Sequence, residues 1–577
     1  MYQSDHIREF PLLYRNFTPA QKPAVIPVIL QSKEVQPVSK WSKIRSGLQD
    51  LFMEFCRHST IHGISHIGSR QRSLFEKFWW AFVFLLSMYG CAKLIDDMYR
   101  KWDENPVLVA FDEKATPVWN IPFPAITICP ETKIQKNHVN FTDLFMRYAH
   151  GDRQGLDRTE LNILLASLQL CNEWFFVRPE YDRIYEYSNL SESIVKTLQR
   201  ISLRLDDIIY HCRLHNVPCK PLFSETITEE GICMTFNGLS SEEMFHKDHL
   251  HSDYEYLSET KVSENWTLER GYSSAANLSS YPYRVLGSGY QAGIKVHLMT
   301  TKNDLEYHCR ESQGFKVLLH APSDYPQVAS KFIRVTLNRD IAVAVKPQII
   351  STEAALYDYE PVRRQCYFNR ERQLKFFRVY SQPNCQLECL TNFTLLLCGC
   401  VPYWMPRSSQ TRFCETYEIR CALGAQQKLM LLNARNQIQH QSDKRIKCDC
   451  LPACNSIQYD AEITQTMFNF KETIKLRLGP INITYQDIVD NKLLSKLEVY
   501  FKDVQFITSK RTEMYGLTDF VASCGGILGL CMGVSLLSLV ELLYFSTIRP
   551  FMLVKRTVQR QQKVVQVVGQ GKKFCYG

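Results

Sequence analysis

The sequence predicts an integral membrane protein in which two transmembrane α-helices flank a large, disulfide-rich, mixed α/β ectodomain. Two apolar runs carry most of that reading, one at 78–98 and one at 517–545, near opposite ends of 577 residues. Each is long enough to cross the ~30 Å hydrocarbon core of a bilayer as a helix. The cysteines are a second observation. Of 21, sixteen lie between the runs, while Cys56, Cys91, Cys524, Cys531 and Cys575 lie in or beyond them. An oxidising exterior and a reduced remainder produce that partition. Sequons at Asn140, Asn189, Asn265, Asn277, Asn392 and Asn482 fall in the same loop, and Asn16 alone falls on the other side.

Taken in order, residues 1–77 form a predicted cytosolic N-terminal region. Met1 to Lys40 holds no apolar core of the length a secretory signal needs. The first transmembrane helix, 78–98, opens FWWAFVFLLSMYGCA, preceded by Arg70, Arg72 and Lys77 and closed by Asp96 and Asp97. Flanking positive charge stays cytosolic, so the N-terminus is predicted inside and residues 99–516 outside. Charged residues make up 22% of the chain, which excludes a disordered or collagen-like protein. The formal charge is +9, and the tail 546–577 holds seven basic residues and no acid. Following a membrane helix directly, that basic cytosolic tail points to anionic lipid, with no nucleic acid expected.

Within the ectodomain, Pro122 to Cys129 reads as an extended strand leaving the membrane. Leu156 to Cys171 and Leu190 to Leu205 read as helices; Gly231 to Phe236, Gly314 to His320 and Phe332 to Leu337 alternate like strands. Glu242 to Ser280 is polar and reads as an elaborated surface region. Cys385 and Cys389, four apart, share a helix face, and a second helical tract from Ala422 to His440 leads back to Cys448 and Cys450. Antiparallel helices set early residues of one beside late residues of the other. That geometry favours a nested ladder of Cys366–Cys454, Cys385–Cys450, Cys389–Cys448, Cys398–Cys421 and Cys400–Cys414, among many formally possible connectivities. The product is a stiff, thumb-like helical hairpin over 366–454. Zinc is the rival for these cysteines, but no external histidine stands at finger-like spacing, so no metal is expected.

The second transmembrane helix, 517–545, is LTDFVASCGGILGLCMGVSLLSLVELLYF. A straight helix of that length reaches roughly 40 Å, so tilting, kinking or local unwinding is predicted. Gly525, Gly529 and Gly533 recur every fourth residue, a face that lets another helix approach closely. Gly533-Val534-Ser535 lies at mid-depth, where unwound carbonyls must face protein or water and can strip water from a cation. Glu541 is costly in a membrane helix unless it faces a polar interior. The same residues also suit a tightly packed anchor helix without a pore.

These pieces together resemble the degenerin/epithelial sodium channel family, most closely its insect pickpocket branch. The matching residues are His62-Gly63, Phe123-Pro124-Ala125-Ile126-Thr127-Ile128-Cys129, Gly231-x-Cys233-x-x-Phe236-Asn237, Cys448-x-Cys450-Leu451-Pro452-x-Cys454, and the run Gly525 to Ser535. They occur in family order from residue 62 to about 545. The resemblance implies an acid-sensing-channel-like fold and a trimeric, sodium-selective, voltage-independent, amiloride-sensitive channel. It assigns Gly533, Val534 and Ser535 to the selectivity filter and His62 and Gly63 to a cytosolic gating motif. Asp519, Ala522, Gly525, Gly526, Gly529 and Glu541 fall to pore and gate, with bulky groups at Ala522 holding such channels open. It also implies Cys129–Cys233 and Cys212–Cys219, supports the nested ladder, and leaves Cys171 and Cys309 to join each other. Cys531 departs from the pattern, standing where relatives often carry an aromatic residue just above the filter.

The function expected is therefore a plasma-membrane channel subunit conducting Na+, gated by an extracellular chemosensory or mechanosensory stimulus. Its partners are two further identical or related subunits and membrane lipid; no cofactor is expected. No G-x-S-x-G elbow, P-loop or HExxH motif is present, so an enzyme is not expected. The alternatives are a non-conducting or regulatory channel-like subunit, a membrane-anchored ligand-binding protein, or an ectoenzyme. An ATP-gated trimeric receptor shares the two spans but lacks the GxS and FPAITIC pieces.

Overall fold

The computed structural model describes residues 40–69, 71–104, 106–150, 155–171, 193–251, 261–277, 279–439, 448–473, 490–556 and 559. The expected sites Asn16, Asn189 and Asn482, the first 39 residues, Cys575 and most of the basic tail lie outside the described residues. Two compact units are present: Met1–Asp97 with Val521–Gly577, and Met98–Phe520.

The first unit holds the apolar helices. Ser73 accepts from the Glu76 N–H at 3.4 Å, starting a helix that runs from Leu74 to Glu104, longer at both ends than the apolar run inside it. The other run is a helix from Leu517 to Met532, a break at 533–535, then a helix from Leu536 to Leu543. It continues through a π turn at Tyr544–Ile548 to Arg556, well past the expected end at 545. Pro550 lacks the N–H for an i−4 bond, and a widened turn just before it lets the helix pass the proline. The spans Leu74–Glu104 and Leu536–Arg556 are long and apolar enough to cross a membrane; Leu517–Met532 is shorter. Their side chains stand uncovered, with Phe78 77% and Leu530 89% exposed. So much bare apolar surface requires lipid or further protein around it.

The second unit is built on two sheets. One has eight strands, with Arg339–Thr352 at its centre, antiparallel to Ser456–Met467 and parallel to both Lys492–Phe501 and Ser509–Glu513. The other has five, ordered Ile333–Val335, Phe315–His320, Ala125–Pro130, Gly231–Phe236 and Phe223–Thr228. The middle three are buried along their whole length. Strands covered on both faces read as continuous apolar runs, which is why FPAITIC stood out in the sequence. Phe236, Phe315, Val343, Leu497 and Phe501 from both sheets share one core with Phe123. A second core packs helices Phe141–Ala149, Arg158–Leu170 and Ile194–Ile201 together.

Helices Gln382–Cys398 and Ile419–Gln439 pack side by side as a hairpin. Disulfides Cys385–Cys450, Cys389–Cys448 and Cys398–Cys421 tie along it, with Cys366–Cys454 below and Cys400–Cys414 at the far turn. Cys129–Cys233 joins adjoining strand segments, Cys212–Cys219 closes a short loop, and Cys171–Cys309 anchors the end of the Arg158–Leu170 helix.

Candidate pore and gate

At the break in the second membrane helix, Gly533 takes φ +67°, a left-handed conformation that L side chains rarely adopt. The chain turns there and restarts at Ser535, whose hydroxyl accepts from the Ser538 N–H at 3.3 Å as an N-cap. Helix termini leave carbonyls without internal partners. Two of these are taken: Met532 accepts from the His62 N–H at 2.9 Å, and Cys531 from the Ser87 hydroxyl at 2.7 Å. Among the described residues, the Gly533 and Val534 carbonyls accept no hydrogen bond.

The segment 59–63 sits against this break. A Cβ on Gly533 would fall 1.7 Å from His62 Nδ1, so the ring occupies the space a side chain would need. Gly63 follows at φ +88°, reversing the chain into the short helix Ile64–Ile67. Below the break, the Thr60 and Ser538 hydroxyls lie 2.7 Å apart, and Ser538 is buried. Glu541 Oε2 accepts from both the Thr60 N–H and its hydroxyl at 3.1 Å. The carboxylate thus has polar partners within the chain, as its placement in an apolar helix demands. Farther along, the Arg549 guanidinium pairs with Glu54, and Phe55 packs edge-on to Phe545 with centroids 5.5 Å apart.

His62, Gly63, Gly533, Ser535 and Glu541 therefore converge, with Val534 between them. Ala522, Gly525 and Gly526 do not join them but lie along the helix Leu517–Met532, whereas Gly529 borders the break, its carbonyl accepting from the Gly533 N–H at 2.9 Å. The sequence predicted close helix approach on the Gly525/Gly529/Gly533 face. Among the described residues, a Cβ at Gly525 would meet nothing within 4 Å, whereas one at Gly529 would touch the Val534 carbonyl and one at Gly533 the His62 ring. Asp519 stands at the opposite end of the helix, its carboxylate accepting from the Gly516 N–H at 3.2 Å. Sequence reasoning missed Thr60, Ser87 and Ser538. The two serines were legible as hydroxyls inside apolar runs, but their partners were not.

The ectodomain also holds a charged core that no motif announced. Glu230 accepts from Lys133 at 2.7 Å, Lys316 at 2.7 Å and Arg310 at 3.2 Å, and all four are buried. Burial pushes the Glu230 carboxyl up, but Lys133, Arg310 and Lys316 outweigh it and hold it below the usual carboxylate range. Elsewhere in the same unit, burial raises Asp324 to about 6 and lowers His320 to about 4.

A family model described as Amiloride-sensitive sodium channel matches residues 55–545, from the Phe55 contact to the end of the second apolar run. The chain belongs to the amiloride-sensitive sodium channel family. Pickpocket protein 28 of Drosophila melanogaster is 25% identical over 90% of this chain and 82% of its own length. Sodium channel protein Nach of Drosophila ananassae is 23% identical over 93% of both chains. Acid-sensing ion channel 1A of Danio rerio is 22% identical over 85% of this chain and 86% of its own. The family is one of ion channels and not of enzymes, and this member is a sodium channel subunit with two membrane helices.

Proposed function

We propose that the chain is one of three identical or related subunits of a sodium-selective, voltage-independent, amiloride-sensitive channel. It would sit in the plasma membrane with both termini cytosolic and open in response to an extracellular chemical or mechanical stimulus. The observation that carries the reading is the break at Gly533-Val534-Ser535, whose Gly533 and Val534 carbonyls have no partner among the described residues. Unsatisfied carbonyls at membrane depth must face water or protein. One chain supplies only an arc of such oxygens; three around an axis would form a ring narrow enough to replace part of the hydration shell of Na+. The bare Gly525/Gly526 face suits helices packed around that axis. In this reading His62 and Thr60 brace the filter from the cytosolic side, and Glu541 adds negative charge on the same side. The disulfide-stiffened hairpin transmits the external event, since a rigid element moves as a body.

The test uses the full chain with Ala522→Phe, expressed alone and recorded with Na+ and then K+ outside. The expected result is a sodium-selective, amiloride-blocked leak that the parent chain lacks. A silent variant that reaches the surface, alone and beside related subunits, would instead favour a non-conducting role.

A further inference from the structure

Leu239, Glu243, Ser263 and residues 266–270, from the polar stretch that no channel motif uses, form one wall of a cavity of about 490 Å³. The opposite wall is the segment from Tyr367 to Tyr380 at the base of the helical hairpin. Small-molecule sites span roughly 300–1,000 Å³ and are lined by aromatic groups with a few placed polar atoms. Trp266 lines this one. It is 4% exposed, yet its indole Nε1 has no hydrogen-bond partner among the described residues. Buried donors are rarely left this way, so the wall lacks an acceptor.

The other polar groups show which kind of acceptor. The Tyr367 hydroxyl donates to Asp449 at 2.6 Å and that of Tyr380 to the Leu451 carbonyl. Both lining carboxylates are engaged: Glu243 accepts from the Ser263 N–H at 2.7 Å and Glu269 from the Asn369 N–H at 2.7 Å. Against these two carboxylates stands a larger set of donors. They are the indole N–H and the guanidinium groups of Arg270, Arg370 and Arg378, all exposed and in no salt bridge among the described residues. Arg378 feels Glu242, but that carboxylate is bridged to Lys247 at 2.7 Å.

We propose that this cavity binds a small organic anion with an apolar ring, its ring between the aromatic walls and its carboxylate taken by the Trp266 N–H and the arginines. Charge-assisted hydrogen bonds from a planar guanidinium fit a carboxylate better than a neutral amide. The site goes beyond the channel reading, and its test needs no current.

Indole-3-acetate and phenylacetate, with their neutral amides, are titrated calorimetrically into the solubilised full-length protein. Saturable binding of an acid, with the matching amide at least about tenfold weaker, is expected. Trp266→Phe, which keeps a ring and removes the donor, should weaken the acid about tenfold. Arg370→Gln/Arg378→Gln changes exposed side chains, so folding survives, and it should abolish the preference for acid over amide. Equal binding of acid and amide, no saturable binding of either acid, or unchanged acid affinity in the double arginine variant would overturn the proposal.

Discussion

Gly533 has a left-handed backbone, and its missing Cβ leaves room for the His62 ring. An L side chain there costs about 1–2 kcal/mol in conformation alone, before the overlap with the ring. Gly533→Ala should therefore remove the current of the Ala522→Phe background, and adding His62→Ala should restore part of it by relieving the overlap. Patch recordings normalised to surface biotinylation check this; a Gly533→Ala channel conducting like its parent would refute the packing argument. Ser535 tests the filter separately. Its hydroxyl caps the helix that follows, and losing a cap costs only about 1 kcal/mol, so Ser535→Ala should still reach the surface. We expect its sodium-to-potassium permeability ratio to fall. An unchanged ratio in a conducting variant would take Ser535 out of the filter.

Among the elements, the five-stranded sheet and its loops carry the charged core. Glu230→Gln leaves Lys133, Arg310 and Lys316 with too little negative charge, and breaking such buried pairs costs about 3–5 kcal/mol. A markedly lower melting temperature of the solubilised protein is expected, against near-parental behaviour if water reaches the cluster. Asp324 and His320 make a second element-scale prediction, with opposite signs. Asp324 is raised from 3.8 to about 6, so its contribution is present below 3.8 and lost as pH rises through about 6. His320 is lowered from 6.5 to about 4, so its contribution is present above 6.5 and lost as pH falls through about 4. Between those limits the two offset each other. Asp324→Asn removes the opposing slope, and the melting temperature of that variant should fall more steeply than the parent's on acidification from pH 6 to 4. Parallel pH profiles would show that the two groups do not compensate.

For the whole molecule, the prediction concerns which side of the membrane each segment occupies. Asn265 and Asn277 lie in the ectodomain unit, as do Asn140, which caps the helix Phe141–Ala149, and Asn392, exposed on the hairpin helix Gln382–Cys398. If that unit is extracellular, glycosidase treatment should increase gel mobility, and replacing occupied sequons by Gln should remove the shift stepwise. Asn16→Gln should change nothing. A shift that depends on Asn16 would invert the topology.

The local pieces were legible because each is signalled by neighbours in sequence. The strand at 125–130 announced itself as a continuous apolar run, the hairpin helices by cysteines four apart, and the helix break by Gly533-Val534-Ser535. The limits of the membrane helices were less legible, because hydropathy marks the lipid-facing part alone, whereas Ser73 and the π turn before Pro550 set where helix begins and continues. Apart from the His62-Gly63 motif, which the family resemblance ties to gating, the groups that brace the break were not legible. Thr60 meets Glu541 across 481 positions and Ser87 meets Cys531 across 444, and no local pattern encodes a partner so distant. The same holds for Glu230 among its cations and for Trp266 lining its cavity. By itself the sequence determined the family and the two spans, since these rest on composition, periodicity and short motifs. Only the tertiary structure decided which polar groups meet in the apolar interior, because the cost of burying a charge or a donor is met by residues that folding alone brings together.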